Sequence, residues 1–355
     1  MNETSEMIIH TAEKIMEDIC TKQMVDNAED GSIPKKLWNT LVETGMLAIG
    51  IPEEEGGSDG GFSDALNVLQ ISGKYSAPIS LGETLLANWI LSDAGLPISD
   101  MPMTVITSLN GKIAFTEKTD GWMISGEAFD VPFARNSETI VVVGPSTKGQ
   151  LVARINASNC HISKGKSLAS EPRDQVSFKN SIVRKDAVSL VESFDEEKIH
   201  YSRALIRAVQ MTGALENILN LTIAYSKERI QFGRSISRFQ AIQQQIAILA
   251  GEVSAAKAIT SLAIKAYEAG DGKDQIMMAK IRVGEAASVG VPIAHQVHGA
   301  IGFTEEHSLQ HSTRRLWSWR DEYGNESYWA KRLGNKMLNL KSGGLWPYIT
   351  ASSNN

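Results

Sequence analysis

The chain has 355 residues, 42% hydrophobic and 21% charged; this is ordinary for a globular protein, and the length exceeds that of a single core, so two or three structural units are expected. A formal net charge of −6 argues against nucleic acid as the main partner, because duplex binding needs a concentrated basic surface. Two cysteines, Cys20 and Cys160, are too few for a disulfide framework or a Cys-based metal site. With a polar, acidic start and no run of about 18 uncharged apolar residues, the expectation is a cytoplasmic protein without a signal peptide or membrane span.

Residues 1–105 read as helices joined by loops. Leu37, Trp38, Leu41 and Val42 fall on one helical face. Ser32 stands where an N-cap belongs, and Pro34 just inside the first turn. Gly50 to Gly57 is a turn-rich break, after which helical spacing resumes over Asp64–Gly73 and Glu83–Ala94.

Over 106–193 the period changes. Lys112–Thr116, Trp122–Ser125, Thr139–Val143, Leu151–Ile155 and Gln175–Phe178 are short and rich in β-branched or aromatic residues. Glycines and Asn156 punctuate them, which predicts a small, mostly antiparallel β domain. Over 194–355 helical spacing returns: Tyr201–Lys227, Phe239–Ala269, Gln275–His298 and Ser327–Asn339. Long helices with short joints predict an antiparallel four-helix bundle. Ala351 to Asn355 are expected to fray. The fold class is therefore mainly α with a central β domain.

Glu228-Arg229-Ile230-Gln231-Phe232-Gly233-Arg234 followed by Phe239-Gln240-Ala241-Ile242-Gln243 resembles the acyl-CoA dehydrogenase family. Three further segments agree in the family's order: Trp38–Leu47 with Ile51–Gly57, Asp120–Glu127, and Gln296–Thr304. The resemblance covers nearly the whole chain. It implies an FAD clamped between subunits of a homodimer or homotetramer, an acyl-CoA or acyl-carrier thioester as substrate, and an electron-transfer flavoprotein as acceptor. Family members take a proton from the carbon beside the thioester and pass a hydride from the next carbon to flavin N5, chemistry typical of fatty acid metabolism.

By position, the resemblance implies that Arg229, Phe232, Gln240, Gln296, Gly299 and Gly302 contact FAD. A guanidinium meets diphosphate oxygens with paired planar donors, and glycines let backbone N–H groups approach a cofactor. Arg234 is as easily read as a solvated loop residue. The family's flavin-holding Thr-Glu-Pro-x-x-Gly-Ser-Asp loop is reduced here to Thr116-Glu117, so Thr116 is the flavin contact expected from the β domain.

The departure at the base matters more. The family's Tyr-Glu-Gly-Thr is replaced by Asp321-Glu322-Tyr323-Gly324-Asn325-Glu326, with Tyr323 in the position of the catalytic Glu. Two alternative family positions for that Glu, on the first bundle helix, hold Arg203 and Gln210. A base for this proton needs a dry site that raises its pKa. Glu322 is the leading candidate, followed by Glu326 and Asp321; the bland reading of this charged run is a solvated cap. His298, His307 and His311 lack a metalloprotease order, so no metal is expected.

Three readings follow. The chain is an FAD-dependent acyl-CoA dehydrogenase; or a non-catalytic or half-site subunit in a heteromer with a homologue; or a related flavin oxidase or monooxygenase on the same scaffold, which needs no base at that place.

Overall fold

The computed structural model describes residues 2–58, 60–191, 196–270, 272–341 and 343–351. Helices α1 (Glu3–Ile19), α2 (Lys22–Glu29), α3 (Lys35–Glu43), α4 (Phe62–Lys74) and α5 (Leu81–Asp93) come first. Asn2 caps α1 by accepting from the Ser5 N–H. At α3 the N-cap is Pro34, and Ser32 takes no capping role.

Eight strands follow: β1 (Met103–Ile106), β2 (Gly111–Lys118), β3 (Gly121–Pro132), β4 (Thr139–Ser146), β5 (Gly149–Asn156), β6 (His161–Ser163), β7 (Arg173–Arg184) and β8 (Val188–Val191). They form two sheets, ordered β1-β4-β5-β8 and β2-β3-β7-β6. β1 pairs with β4 in parallel; every other pairing in the two sheets is antiparallel. β1, β6 and β8 are too short to show an alternating pattern. β3 and β7 run much further than the sequence suggests, because irregular register at Ile124/Gly126 and Ala128/Val131 lets them bend and continue.

The bundle is built from α6 (Glu196–Glu228), α7 (Gln240–Glu268) and α8 (Lys273–His298), closed by α9 (Leu309–Asp321) and α10 (Glu326–Leu338), with α11 (Leu345–Ala351) last. A two-residue hairpin, Ile230–Gln231 with Arg234–Ser235, joins α6 to α7. α9 had no separate expectation, because its apolar residues Leu309, Leu316 and Trp319 are interspersed with His311, Arg314, Arg315 and Arg320. The expected frayed end, 352–355, and the domain boundary near 193 lie outside the described residues.

Two cores result. One runs continuously through the N-terminal helices and the bundle, and takes in Met103, Val105 and Val141 from β1 and β4. The other lies between the two sheets, around Ile124, Val142 and Val176. The first depends on close contact of α4 with α6. A Cβ at Gly73 would stand 2.1 Å from the Gln210 carbonyl oxygen, and one at Gly213 would stand 1.9 Å from that of Gln70. Only glycine permits this approach.

One helix, α7, is long and apolar enough to cross a membrane: its 18-residue window has a mean hydropathy of 1.4, with 28% of it buried. Glu252, Lys257 and Lys265 interrupt this helix, so it contains no run of 18 uncharged residues.

Candidate active site

α6 carries Arg203, Arg207 and Gln210 at i, i+4 and i+7, so they share one face. That face is buried, on a helix buried continuously from Tyr201 to Leu215. Charges in such a place need fixed partners. Arg203 donates to Thr107 Oγ1 at 3.3 Å, Asn110 Oδ1 at 3.0 Å and the Val105 carbonyl at 2.6 Å. It is thereby tied to the β domain.

Arg207 donates from Nε to Glu322 Oε2 at 2.7 Å, from Nη1 to Gln210 Oε1 at 2.5 Å, and from Nη2 to Glu83 Oε1 at 2.5 Å. Arg173, at the start of β7, donates from Nε to the other oxygen of Glu322 at 2.9 Å and from Nη2 to Glu171 Oε2 at 3.1 Å. Glu171 in turn accepts from Trp319 Nε1 at 2.9 Å and from Arg315 Nε at 3.1 Å. A ladder of alternating charge thus runs Glu83–Arg207–Glu322–Arg173–Glu171–Arg315, joining all three parts of the chain.

The α9–α10 corner presents Glu322. Tyr323 has φ +56° and Gly324 φ +97°. A Cβ at Gly324 would meet Tyr328 Cδ1 at 2.4 Å, so this corner requires the glycine expected there. Asn325 then caps α10 by accepting from the Tyr328 N–H at 3.1 Å. Lys280, from α8, fastens the end of α9 by donating to the carbonyls of Trp319 at 3.0 Å and Arg320 at 2.7 Å. Burial pushes the Lys280 ammonium down to about 7, against the pull of Glu322 and Glu326.

Tyr323 lies under two guanidiniums, Arg203 at 5.2 Å and Arg207 at 5.6 Å from its ring centre. Behind it, between α5 and α6, the remaining space is about 10 Å³, room for one water at most. In front of it a cleft of about 560 Å³ opens between the β domain and the bundle, bordered by Asn110, Asp130, His200, Asp321, Glu322 and Tyr323. Burial and the nearby Arg203 lower His200 to about 4, so it faces the cleft as neutral imidazole.

Glu322 therefore lines the cleft, but its electrostatics run opposite to expectation. Burial pushes its carboxyl up; the guanidiniums of Arg173 and Arg207 outweigh burial and hold it at about 2. A base for a weakly acidic C–H needs the reverse shift. Glu326 is turned away, accepting from Arg320 Nε at 2.5 Å and packing against Gly284. Asp321 is exposed at the cleft rim. Thr116 is exposed on β2 opposite Met123 and does not line the cleft.

The expected FAD clamp gathers at the other end of the bundle. Arg229 ends α6 and Gln296 sits in the last turn of α8; the two helix ends meet where Tyr225 stacks on His298, 4.6 Å between ring centres. Arg229, Gln240 and Gln296 are exposed, and the Arg229 and Gln296 side chains make no hydrogen bond among the described residues. Phe232 is 92% exposed, with φ +53°. Gly299 has φ +65° and open space where a Cβ would be, whereas Gly302 is buried against His298 and Leu309. Arg234 instead folds back over the Phe239 ring at 4.3 Å. A free guanidinium, a free amide and an open glycine in one place fit an anionic dinucleotide. Among the described residues no cluster of His, Cys, Asp and Glu could hold a metal.

Sequence reading missed Arg173, Arg207, Glu83 and Glu171. The available signal was the Arg203/Arg207/Gln210 spacing inside an otherwise apolar helix, which marks buried charge.

Two family models match, the acyl-CoA dehydrogenase N-terminal domain over residues 2–96 and the acyl-CoA dehydrogenase C-terminal domain over residues 194–323. The chain belongs to the acyl-CoA dehydrogenase family, oxidoreductases that use FAD and act on CH–CH groups. It is 27% identical over 315 residues to the acyl-CoA dehydrogenase IpdE2 of Mycolicibacterium smegmatis, covering 87% of this chain and 91% of that protein. Its fold matches the ChsE4-ChsE5 complex from Mycobacterium tuberculosis, with TM-score 0.87, 18% identity and coverage of 96% and 99%. It also matches butyryl-CoA dehydrogenase from Megasphaera elsdenii, with TM-score 0.85, 17% identity and coverage of 96% and 99%.

Proposed function

We propose that this chain is the base-free subunit of a two-chain, FAD-dependent acyl-CoA dehydrogenase, assembled with a homologue that carries the catalytic carboxylate. The observation that carries this reading is the double ion pair on Glu322. Arg203, Gln210 and Tyr323 stand at the other places the family resemblance gives for a base, and none of them is a carboxylate. The Arg207–Glu83 pair and Tyr323 also leave only about 10 Å³ of space between α5 and α6. A bound FAD would supply the hydride-accepting chemistry. This chain's part would be to hold the dinucleotide: Arg229 would neutralise its diphosphate, Gln296 and the backbone at Gly299 would donate to it, and Phe232 and Gln240 would flank it. The apolar, mostly uncovered α7 supplies a face for the partner to bury. An electron-transfer flavoprotein is the acceptor this reading expects.

A second reading, a homomeric enzyme with Glu322 as base, rests on that carboxylate lining the cleft. It requires Glu322 to leave both arginines. Expression of the chain alone and beside a homologous partner separates the two. The first reading expects bleaching of the flavin by an acyl-CoA only in the mixed assembly; bleaching by this chain alone supports the second.

A further inference from the structure

A separate cavity of about 100 Å³ lies between the α2–α3 loop, the β domain and α9, on the far side of Glu171 from the cleft. Its walls are mainly apolar: Ile33, Trp38, Ile79, Phe133, Ala169 and Pro172. Its polar lining includes Arg315 and Glu29, with Glu171, Arg135, Asn136 and Lys166. Arg315 is fully buried; its Nε donates to Glu171 and its Nη1 to the His311 carbonyl at 3.1 Å, which leaves Nη2 without a partner. Glu29 Oε1 is also buried without a hydrogen bond, 3.7 Å from Arg315 Nη1. One free donor and one free acceptor thus stand together at the end of an apolar chamber. Unmade bonds of this kind are expensive, so a native protein meets them with something.

We propose that this cavity is a second small-molecule site, taking an uncharged ligand with a compact apolar body and a hydroxyl or primary-amide head. Such a head accepts from Arg315 Nη2 and donates to Glu29 Oε1 at once. A carboxylate head satisfies the arginine but faces the Glu29 and Glu171 carboxylates, and an ammonium meets Arg315 and Lys166. The buried charges pair among themselves, Arg315 with Glu171, Arg314 with Glu29 at 2.5 Å, and Arg135 with Asp174, while the exposed Lys166 donates to the Glu29 carbonyl at 3.1 Å. At the Arg315–Glu29 end this leaves one donor and one acceptor for the ligand.

The test uses three probes of similar shape on the purified full chain: benzyl alcohol, benzamide and benzoate, followed by calorimetry and saturation-transfer NMR. The alcohol and the amide are expected to bind at least tenfold more tightly than benzoate. Ala169→Leu, which fills the chamber, and Ile33→Trp, which crowds its exposed rim, should each weaken the alcohol at least tenfold without changing the far-ultraviolet circular dichroism. Benzoate binding as well as the alcohol, undiminished binding in the folded Ile33→Trp chain, or no binding by any probe would each overturn the proposal; the last would mean that water alone closes the Arg315–Glu29 gap.

Discussion

Arg207 Nε and Glu322 Oε2 are 2.7 Å apart, joining residues separated by 115 positions in sequence. The bond fixes the α9–α10 corner to the first bundle helix and sets what the cleft can do. A carboxylate shared by Arg173 and Arg207 is a structural tie. Glu322→Ala should lower stability by about 3–5 kcal/mol, because it leaves two buried guanidiniums short of an acceptor. Chemical denaturation at fixed protein concentration measures this. A loss below about 1 kcal/mol would show that the pair is open in solution.

The same tie gives the stability profile an acid limb. The folded pKa of Glu322, about 2, lies below its ordinary 4.5. Its contribution is therefore fully present above about pH 4.5 and is lost as the pH falls toward 2. Glu322→Gln should flatten the stability profile in that window and leave it unchanged between pH 6 and 8.

Lys280 sets a limb of the opposite kind. Its folded pKa, about 7, lies below the ordinary 10.5, so the buried ammonium opposes folding below pH 7 and that opposition fades as the pH rises toward 10.5. Wild-type stability should climb relative to Lys280→Met above pH 7, with a slope of at most about 1.4 kcal/mol per pH unit. Parallel profiles for the two proteins would contradict the shift.

Gly213→Ala should be among the most damaging single-methyl additions in the chain, since the new carbon would lie 1.9 Å from a backbone oxygen that cannot turn aside. A loss of about 3 kcal/mol or more is expected, with α4 and α6 forced apart. Gly251→Ala, with nothing within 4 Å, is the control and should be neutral or slightly stabilising.

Much of the fold was legible because its elements are long and strongly patterned. The bundle helices show 3.6-residue spacing over many turns, and the strands stand out by their β-branched residues between glycines. Motif order singled out Arg229, Gln296 and Gly299, and the structure places them at adjoining helix ends. The ladder was not. Glu83, Glu171, Arg173 and Arg207 lie far apart in the chain, and local pattern says nothing about which charges meet after folding. Glu322 illustrates the cost: its sequence position suggested a base, while its partners Arg173 and Arg207, invisible to that reasoning, hold its carboxyl well below the ordinary range.

The most direct measurement is flavin retention by Arg229→Ala in the assembly formed with a homologous partner. Removing the free guanidinium should weaken FAD by about 1.5–3 kcal/mol, a loss on the order of tenfold to a hundredfold, with the assembly intact by light scattering. Undiminished flavin in an intact Arg229→Ala assembly would contradict the account.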